Sequence, residues 1–170
     1  MMRVQVQIYT EFNHDHGLPK YETAGAAAMD VRANEAVAIR PGETKLIPTG
    51  IYVAIPEGYE FQVRPRSGLS YKTKLRIANA PGTIDSDYRG ELCIITENTG
   101  EDEIKFDLGE RVAQIKLAHA PIAEWIHREF KDDLGRTMRG EGGFGSTGTG
   151  ASTEGVLVPP MGSLGEVVEA

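Results

Sequence analysis

The sequence has one cysteine, no excess of positive charge and no long apolar run, and each lack excludes a class. Cys93 stands alone, so no intrachain disulfide forms. Its setting, Leu92-Cys93-Ile94-Ile95, reads as a buried, inert thiol. A reducing compartment follows, and the expectation is a cytoplasmic or nuclear protein. With 18 basic against 25 acidic residues the formal charge is -7, the wrong sign for affinity gained by counterion release, so nucleic acid is not expected as a partner. No apolar stretch approaches the roughly 20 residues that span a bilayer, and Met1-Met2-Arg3-Val4-Gln5 lacks the apolar core of a signal peptide. Neither a membrane nor export is expected. Helical character is also scarce: the one stretch with it follows Arg66-Ser67-Gly68 and is too short to form a layer.

What is present is the rhythm of a β protein. Val4, Val6 and Ile8 alternate with polar residues, as do Ile51, Val53 and Ile55, which is the period of half-buried strands. Turn signals separate such runs at Pro41-Gly42, Pro48-Thr49-Gly50, Pro56-Glu57-Gly58, Pro81-Gly82, Asn98-Thr99-Gly100 and Leu108-Gly109. The 170 residues, 40% of them hydrophobic, fit one globular domain of the all-β sandwich or jelly-roll class. At that length about 70% of the unfolded surface is buried, so no structural metal is needed. The composition changes at Arg139, where five glycines fall within ten positions. The division read from it is a β-domain over residues 1–138, a flexible Gly-rich arm over 139–148 and a tail over 149–170. The tail contains Val156-Leu157-Val158-Pro159-Pro160-Met161 and fits either disorder or an arm docked on another subunit.

Five segments carry groups with chemical use. In the glycine arm, bare backbone N–H groups with Ser146 and Thr147 suit phosphate, and Phe144 suits a lid stacked on a base better than a plain linker. No Lys follows the glycines, which disfavours a P-loop. In Pro65-Arg66-Ser67-Gly68-Leu69 a guanidinium, a hydroxyl and a glycine backbone lie side by side after the Phe61–Arg64 strand, fitting either phosphate recognition or a solvated turn. Asn79-Ala80-Pro81-Gly82-Thr83-Ile84-Asp85-Ser86-Asp87-Tyr88 places two carboxylates and a Tyr in one turn, suited to accepting a proton from water or to bonding its own backbone. Asp30 stands among small apolar residues, where a hard cation or a structural partner would use it. Gln114 shares strand parity with Val112, an inward position at which its amide needs partners. His14-Asp15-His16 reads as a solvated loop rather than a metal site.

Taken in order, these segments resemble the five motifs of the trimeric deoxyuridine triphosphatases. The residues that carry the resemblance are Ala24-Gly25-Ala26-Ala27-Ala28-Met29-Asp30, Pro65-Arg66-Ser67-Gly68-Leu69, the Gly82–Gly90 stretch, Gly109-Glu110-Arg111-Val112-Ala113-Gln114 and the Arg139–Gly148 stretch. It covers roughly residues 3 to 148. Thr83 replaces a usual aliphatic residue, three alanines stand in the first motif, and the tail runs past the usual end.

The resemblance implies a distorted jelly roll, a homotrimer with active sites between subunits, and Mg²⁺-dependent hydrolysis of dUTP to dUMP and pyrophosphate, limiting uracil in DNA. It implies Asp85 as the base that activates water at the α-phosphorus, with Asp87 structural, and Asp30 holding Mg²⁺ through water. Arg66, Ser67, Gly68, Gln114 and Arg139 would cradle phosphate. Asn79, the Gly82, Thr83 and Ile84 backbone and the return strand at Cys93 would read the uracil edge, with Tyr88 under the deoxyribose. Phe144, Gly145, Ser146 and Thr147 would close over the substrate. The competing readings are a dCTP deaminase of the same fold, against which Gly82-Thr83-Ile84-Asp85 and the intact arm argue, and a non-catalytic nucleotide sensor.

Overall fold

Among the described residues ten strands of 3 to 11 residues form, because turn residues interrupt the β-branched runs about as often as a sandwich requires. The computed structural model describes residues 3–143 and Ser146. Phe144, Gly145, Thr147 and the tail, with the expectations stated for them, lie outside the described residues. The chain divides into two compact units, Met1–Glu124 and Trp125–Ala170.

In the first unit the strands are β1 (Gln7–Thr10), β2 (Met29–Arg32), β3 (Val37–Ile39), β4 (Thr44–Ala54), β5 (Tyr59–Arg64), β6 (Leu75–Ile77), β7 (Gly82–Ile84), β8 (Glu91–Asn98), β9 (Ile104–Phe106) and β10 (Arg111–His119), with one helix, α1 (Ser67–Lys72), where the sequence placed it. They form two four-stranded antiparallel sheets, ordered β1-β4-β8-β6 and β2-β10-β5-β7, and a β3-β9 pair. One core takes side chains from both sheets, among them Ile47, Ile51, Leu92 and Ile94 from the first and Val31, Phe61, Val63 and Ile115 from the second. This is a jelly roll, as the turn spacing implied. No helix among the described residues is long and apolar enough to cross a membrane.

Three expectations about local structure fail, each for a physical reason. Pro48-Thr49-Gly50 is no turn: it lies inside β4, where the three residues between Pro48 and Tyr52 oppose one, Leu92, on β8. Gly50 within this bulge has φ +66°, a left-handed conformation that glycine adopts at least cost. The Val4–Ile8 alternation is only partly strand. β1 begins at Gln7 on the sheet edge, Val6 packs on the core and Ile8 is exposed. Finally, His14 is not solvated. Its ring stacks on Phe12 (centroids 4.7 Å apart) and both ring nitrogens are buried without a partner. Burial, then the neighbouring His16 and Arg32, push its pKa down, with Asp15 opposing.

Buried polar groups are otherwise paired. Asn98 Nδ2 donates to the Ile39 and Asp102 carbonyls at 3.0 and 2.8 Å, and its Oδ1 accepts from Gly100 N–H at 2.9 Å. Asn34 ties down the N-terminal segment, accepting from Asn13 N–H (2.7 Å) and donating to Glu11 O (2.8 Å). The second unit contains a 3-10 turn over Lys131–Leu134, and Arg139 Nε there donates to Gly142 O at 2.7 Å.

Two outcomes are expected. Gly50 and Gly42 both have positive φ, but a Cβ on Gly50 would lie 2.7 Å from Asn34 Nδ2 and Glu11 O, whereas at Gly42 nothing lies within 4 Å. Both alanine variants bear a left-handed cost of roughly 1–2 kcal/mol. Gly50→Ala is expected to lose clearly more stability than Gly42→Ala in urea denaturation. For His14 the folded pKa lies below the unfolded one, so its contribution is complete above the unfolded value of about 6.5 and is lost as pH falls below it. Between about pH 7.5 and about pH 5.5 the Tm of His14→Phe is expected to fall less than that of the wild type.

Candidate active site

Antiparallel registry in the β2-β10-β5-β7 sheet places polar residues side by side. Gln114 on β10 lies opposite Asp30 on β2 and Arg64 on β5. The first, second and fourth sequence segments thus converge at one end of this sheet, where the chain leaves β5 through Pro65 into Arg66.

Asp30 is the hub. Arg66 Nε donates to its Oδ1 at 3.0 Å and Arg111 Nη1 to its Oδ2 at 3.2 Å. Arg66 Nη1 also donates to the Arg111 carbonyl at 3.1 Å, closing a ring of three contacts. The expectation of a carboxylate free for a cation is refined: each oxygen already accepts from a guanidinium, leaving room for a water on a second lone pair. Among the described residues no three His, Cys, Asp or Glu side chains cluster as a metal site. The donor set fits an ion that arrives with a polyphosphate and touches Asp30 through water, and does not fit a resident, fully protein-ligated metal.

Gln114 does not point inward. One extra residue in β10 shifts the register between Arg111 and Ala113, so Val112 and Ala113 are both buried and the alternation reverses. Gln114 therefore lies half-exposed on the outer face, and its Nε2 donates to Pro65 O at 2.7 Å, bracing the turn that carries Arg66. Ser67 and Gly68 follow at the exposed start of α1.

The third segment lies at the sheet edge. Gly82, Thr83 and Ile84 form β7 opposite Val63, Gln62 and Phe61. Asn79 folds over Gly82, so that a Cβ there would lie 3.0 Å from its Nδ2. Asp85 is exposed, and no side-chain hydrogen bond or ion pair engages its carboxylate among the described residues. Tyr88 is 43% exposed, donates to Glu91 O at 3.0 Å and lies on Gly90, where a Cβ would be 2.3 Å from its hydroxyl. Gly82 and Cys93 do not share a paired hairpin: β7 bonds to β5 and β8 to β4 and β6, because residues 85–90 cross between sheets. Cys93 is half-buried, and burial followed by the Glu91 charge pushes its thiol up to about 11, so it stays protonated at neutral pH.

The sheet does not bring Asp85 to Asp30 and Arg66. Asp85 lies three residues beyond Gly82 and Arg66 three beyond its partner Val63, in opposite directions. The ends of the two strands from which they follow, Ile84 opposite Phe61 and Arg64, are three residues of strand rise apart, about 10 Å. Arg139 and Ser146, both exposed, belong to the second unit. Sequence reasoning assigned no role to Arg111. Only the registry of β10 against β2 reveals it, since an Arg three residues before a Gln carries no signal of its own.

Residues 15–148 match the dUTPase family. The deoxyuridine 5′-triphosphate nucleotidohydrolase of Anaeromyxobacter sp. is 50% identical over 131 residues, covering 77% of this chain and 87% of that protein. The enzyme of the same description from Caulobacter vibrioides is 49% identical over 142 residues, covering 81% and 90%. A glycine-to-serine mutant of the Staphylococcus bacteriophage 80alpha dUTPase, solved with dUpNHpp, superposes with a TM-score of 0.75 at 28% identity, covering 85% of this chain and 98% of that one. With the jelly roll and the ordered motif residues in place, the chain belongs to the dUTPase family and is a dUTP diphosphatase.

Proposed function

We propose that Asp85 activates the water that attacks the α-phosphorus of dUTP, at sites completed by neighbouring copies in a homotrimer. The observation that carries this reading is the antiparallel pairing of β7 with β5, which sends Asp85 and the Asp30–Arg66–Gln114 group towards opposite ends of the sheet. One triphosphate then uses one group from each of two copies, the neighbouring copy supplying the missing half. Trp125 and Ile126 in the second unit and Ile122 in the first are 90%, 73% and 97% exposed, apolar surface of the kind an assembly covers.

In this reading the water oxygen bonds to the α-phosphorus, Asp85 accepts its proton, and the bond to the bridging oxygen breaks to release pyrophosphate. Arg66, Ser67, Gly68 and Gln114 hold the phosphates and stabilise the charge that develops on the leaving group. Mg²⁺ bound with the triphosphate would supply charge neutralisation, with Asp30 the residue that holds it through water. The backbone of Gly82, Thr83 and Ile84, with Asn79 and the strand at Cys93, reads the acceptor-donor-acceptor edge of uracil. Cytosine there leaves a buried polar group unpaired, a loss of about 1–3 kcal/mol per mismatch. Exposed Tyr88 supports the deoxyribose and excludes a 2′-hydroxyl. Arg139, Ser146 and Thr147 are assigned to the γ-phosphate, and Phe144 with Gly145 to the cover over the base. The dUMP released would feed thymidylate synthesis, in the cytoplasm or nucleus.

Two measurements test this. Asp85→Asn is expected to lower kcat by about 10²–10⁴ while binding of a non-hydrolysable dUTP analogue persists. An equal loss in Asp87→Asn with Asp85→Asn unaffected would move the base. Mixing inactive Asp85→Asn with inactive Arg66→Gln chains and allowing exchange is expected to restore about a quarter of the wild-type rate, because a site drawing on two copies is intact in that fraction. No recovery in demonstrably mixed oligomers would place the whole site in one chain.

A further inference from the structure

Two residues along β2 from Asp30, towards the turn between β9 and β10, Arg32 lies opposite Arg111. These two residues, with Arg66, His16, Gly109 and Glu110, line a cleft of about 370 Å³. Its content of charge is unusual for a protein of formal charge -7: three guanidiniums and an imidazole face one space. The two carboxylates nearby are already engaged. Asp30 is held by Arg66 and Arg111, and Glu110 Oε2 accepts the backbone N–H of Asp107 at 2.9 Å.

The guanidinium nitrogens are only partly used. Arg32 Nη1 donates to Gly109 O at 2.7 Å, Arg66 uses Nε and Nη1, and Arg111 uses Nη1. Arg32 Nε and Nη2, Arg66 Nη2, and Arg111 Nε and Nη2 have no hydrogen-bond partner among the described residues. Their forks are held in place by the contacts they do make, which suits them to a multiply charged oxyanion. His16 packs against Gly109, where a Cβ would come within 2.7 Å of its Nε2. A side chain at 109 would thus displace the imidazole from the cleft.

We propose that this cleft is an anion subsite that takes inorganic pyrophosphate, with Arg32, Arg111 and His16 as ligands beyond the phosphate cradle. Arg66 belongs to both, so the leaving group can pass from the cradle outward without losing its first cationic contact. That pyrophosphate is the anion rests on the reading of the reaction above. The cationic cleft itself does not.

The test is calorimetric titration of inorganic pyrophosphate into the full chain, without metal, alongside titration of dUMP. His16→Glu, on an exposed loop residue, is expected to weaken pyrophosphate binding about tenfold or more and to leave dUMP affinity unchanged. Arg32→Gln is expected to weaken it about tenfold, and Arg32→Lys, which keeps the charge and a donor for Gly109 O, less. Thermal midpoints within a few degrees of wild type identify folded variants, and His16→Glu decides alone if Arg32→Gln unfolds. Pyrophosphate affinity within twofold of wild type in folded His16→Glu overturns the subsite, as does absence of pyrophosphate binding to wild type. Pyrophosphate binding that responds to these variants in a chain that releases no pyrophosphate from dUTP would instead overturn the proposed reaction and leave the subsite standing.

Discussion

The shared carboxylate of Asp30 is the contact on which the site depends. It joins β2 to the turn after β5 through Arg66 and to β10 through Arg111, and the Arg111 carbonyl returns to Arg66. Side-chain exposures of 21% for Asp30, 27% for Arg66 and 43% for Arg111 leave the pairs open to solvent screening, so their part in overall stability is small. Their effect is geometric. Two guanidiniums held side by side repel unless an anion lies between them, and Asp30 supplies that anion before any phosphate does. In the proposed reaction a phosphate would meet donors already aimed.

Sheet topology then sets a limit that no side chain overcomes. The order β2-β10-β5-β7 gathers Asp30, Gln114 and Arg66 at one end, while antiparallel pairing of β7 with β5 sends Asp85 the other way. The same pairing that gathers Asp30, Arg66 and Gln114 therefore separates them from Asp85. The homotrimer proposed above follows from this separation, and the exposed Ile122, Trp125 and Ile126 are apolar residues the first copy leaves uncovered.

Much of this was legible from residue order. The turn at Pro56-Glu57-Gly58, the short helix after Arg66 and the strand before it stand where the pattern put them, because glycine, proline and β-branched residues act on their own backbone. What was misread depended on partners. Pro48-Thr49-Gly50 has turn composition but lies in β4, since the bulge is defined by β8 opposite. Gln114 was assigned inward by parity, and one extra residue in β10 reversed it. His14 was taken for a solvated residue, and the stack on Phe12 removed its ring nitrogens from water.

The sequence by itself determined the all-β class and the family, because turn chemistry and motif residues are local and survive without knowledge of the neighbours. Tertiary structure alone decided which of those residues meet. Registry between strands distant in the chain put Arg111 on Asp30, turned Gln114 to the outer face and set Asp85 apart, and registry is a property of two strands that neither one encodes alone.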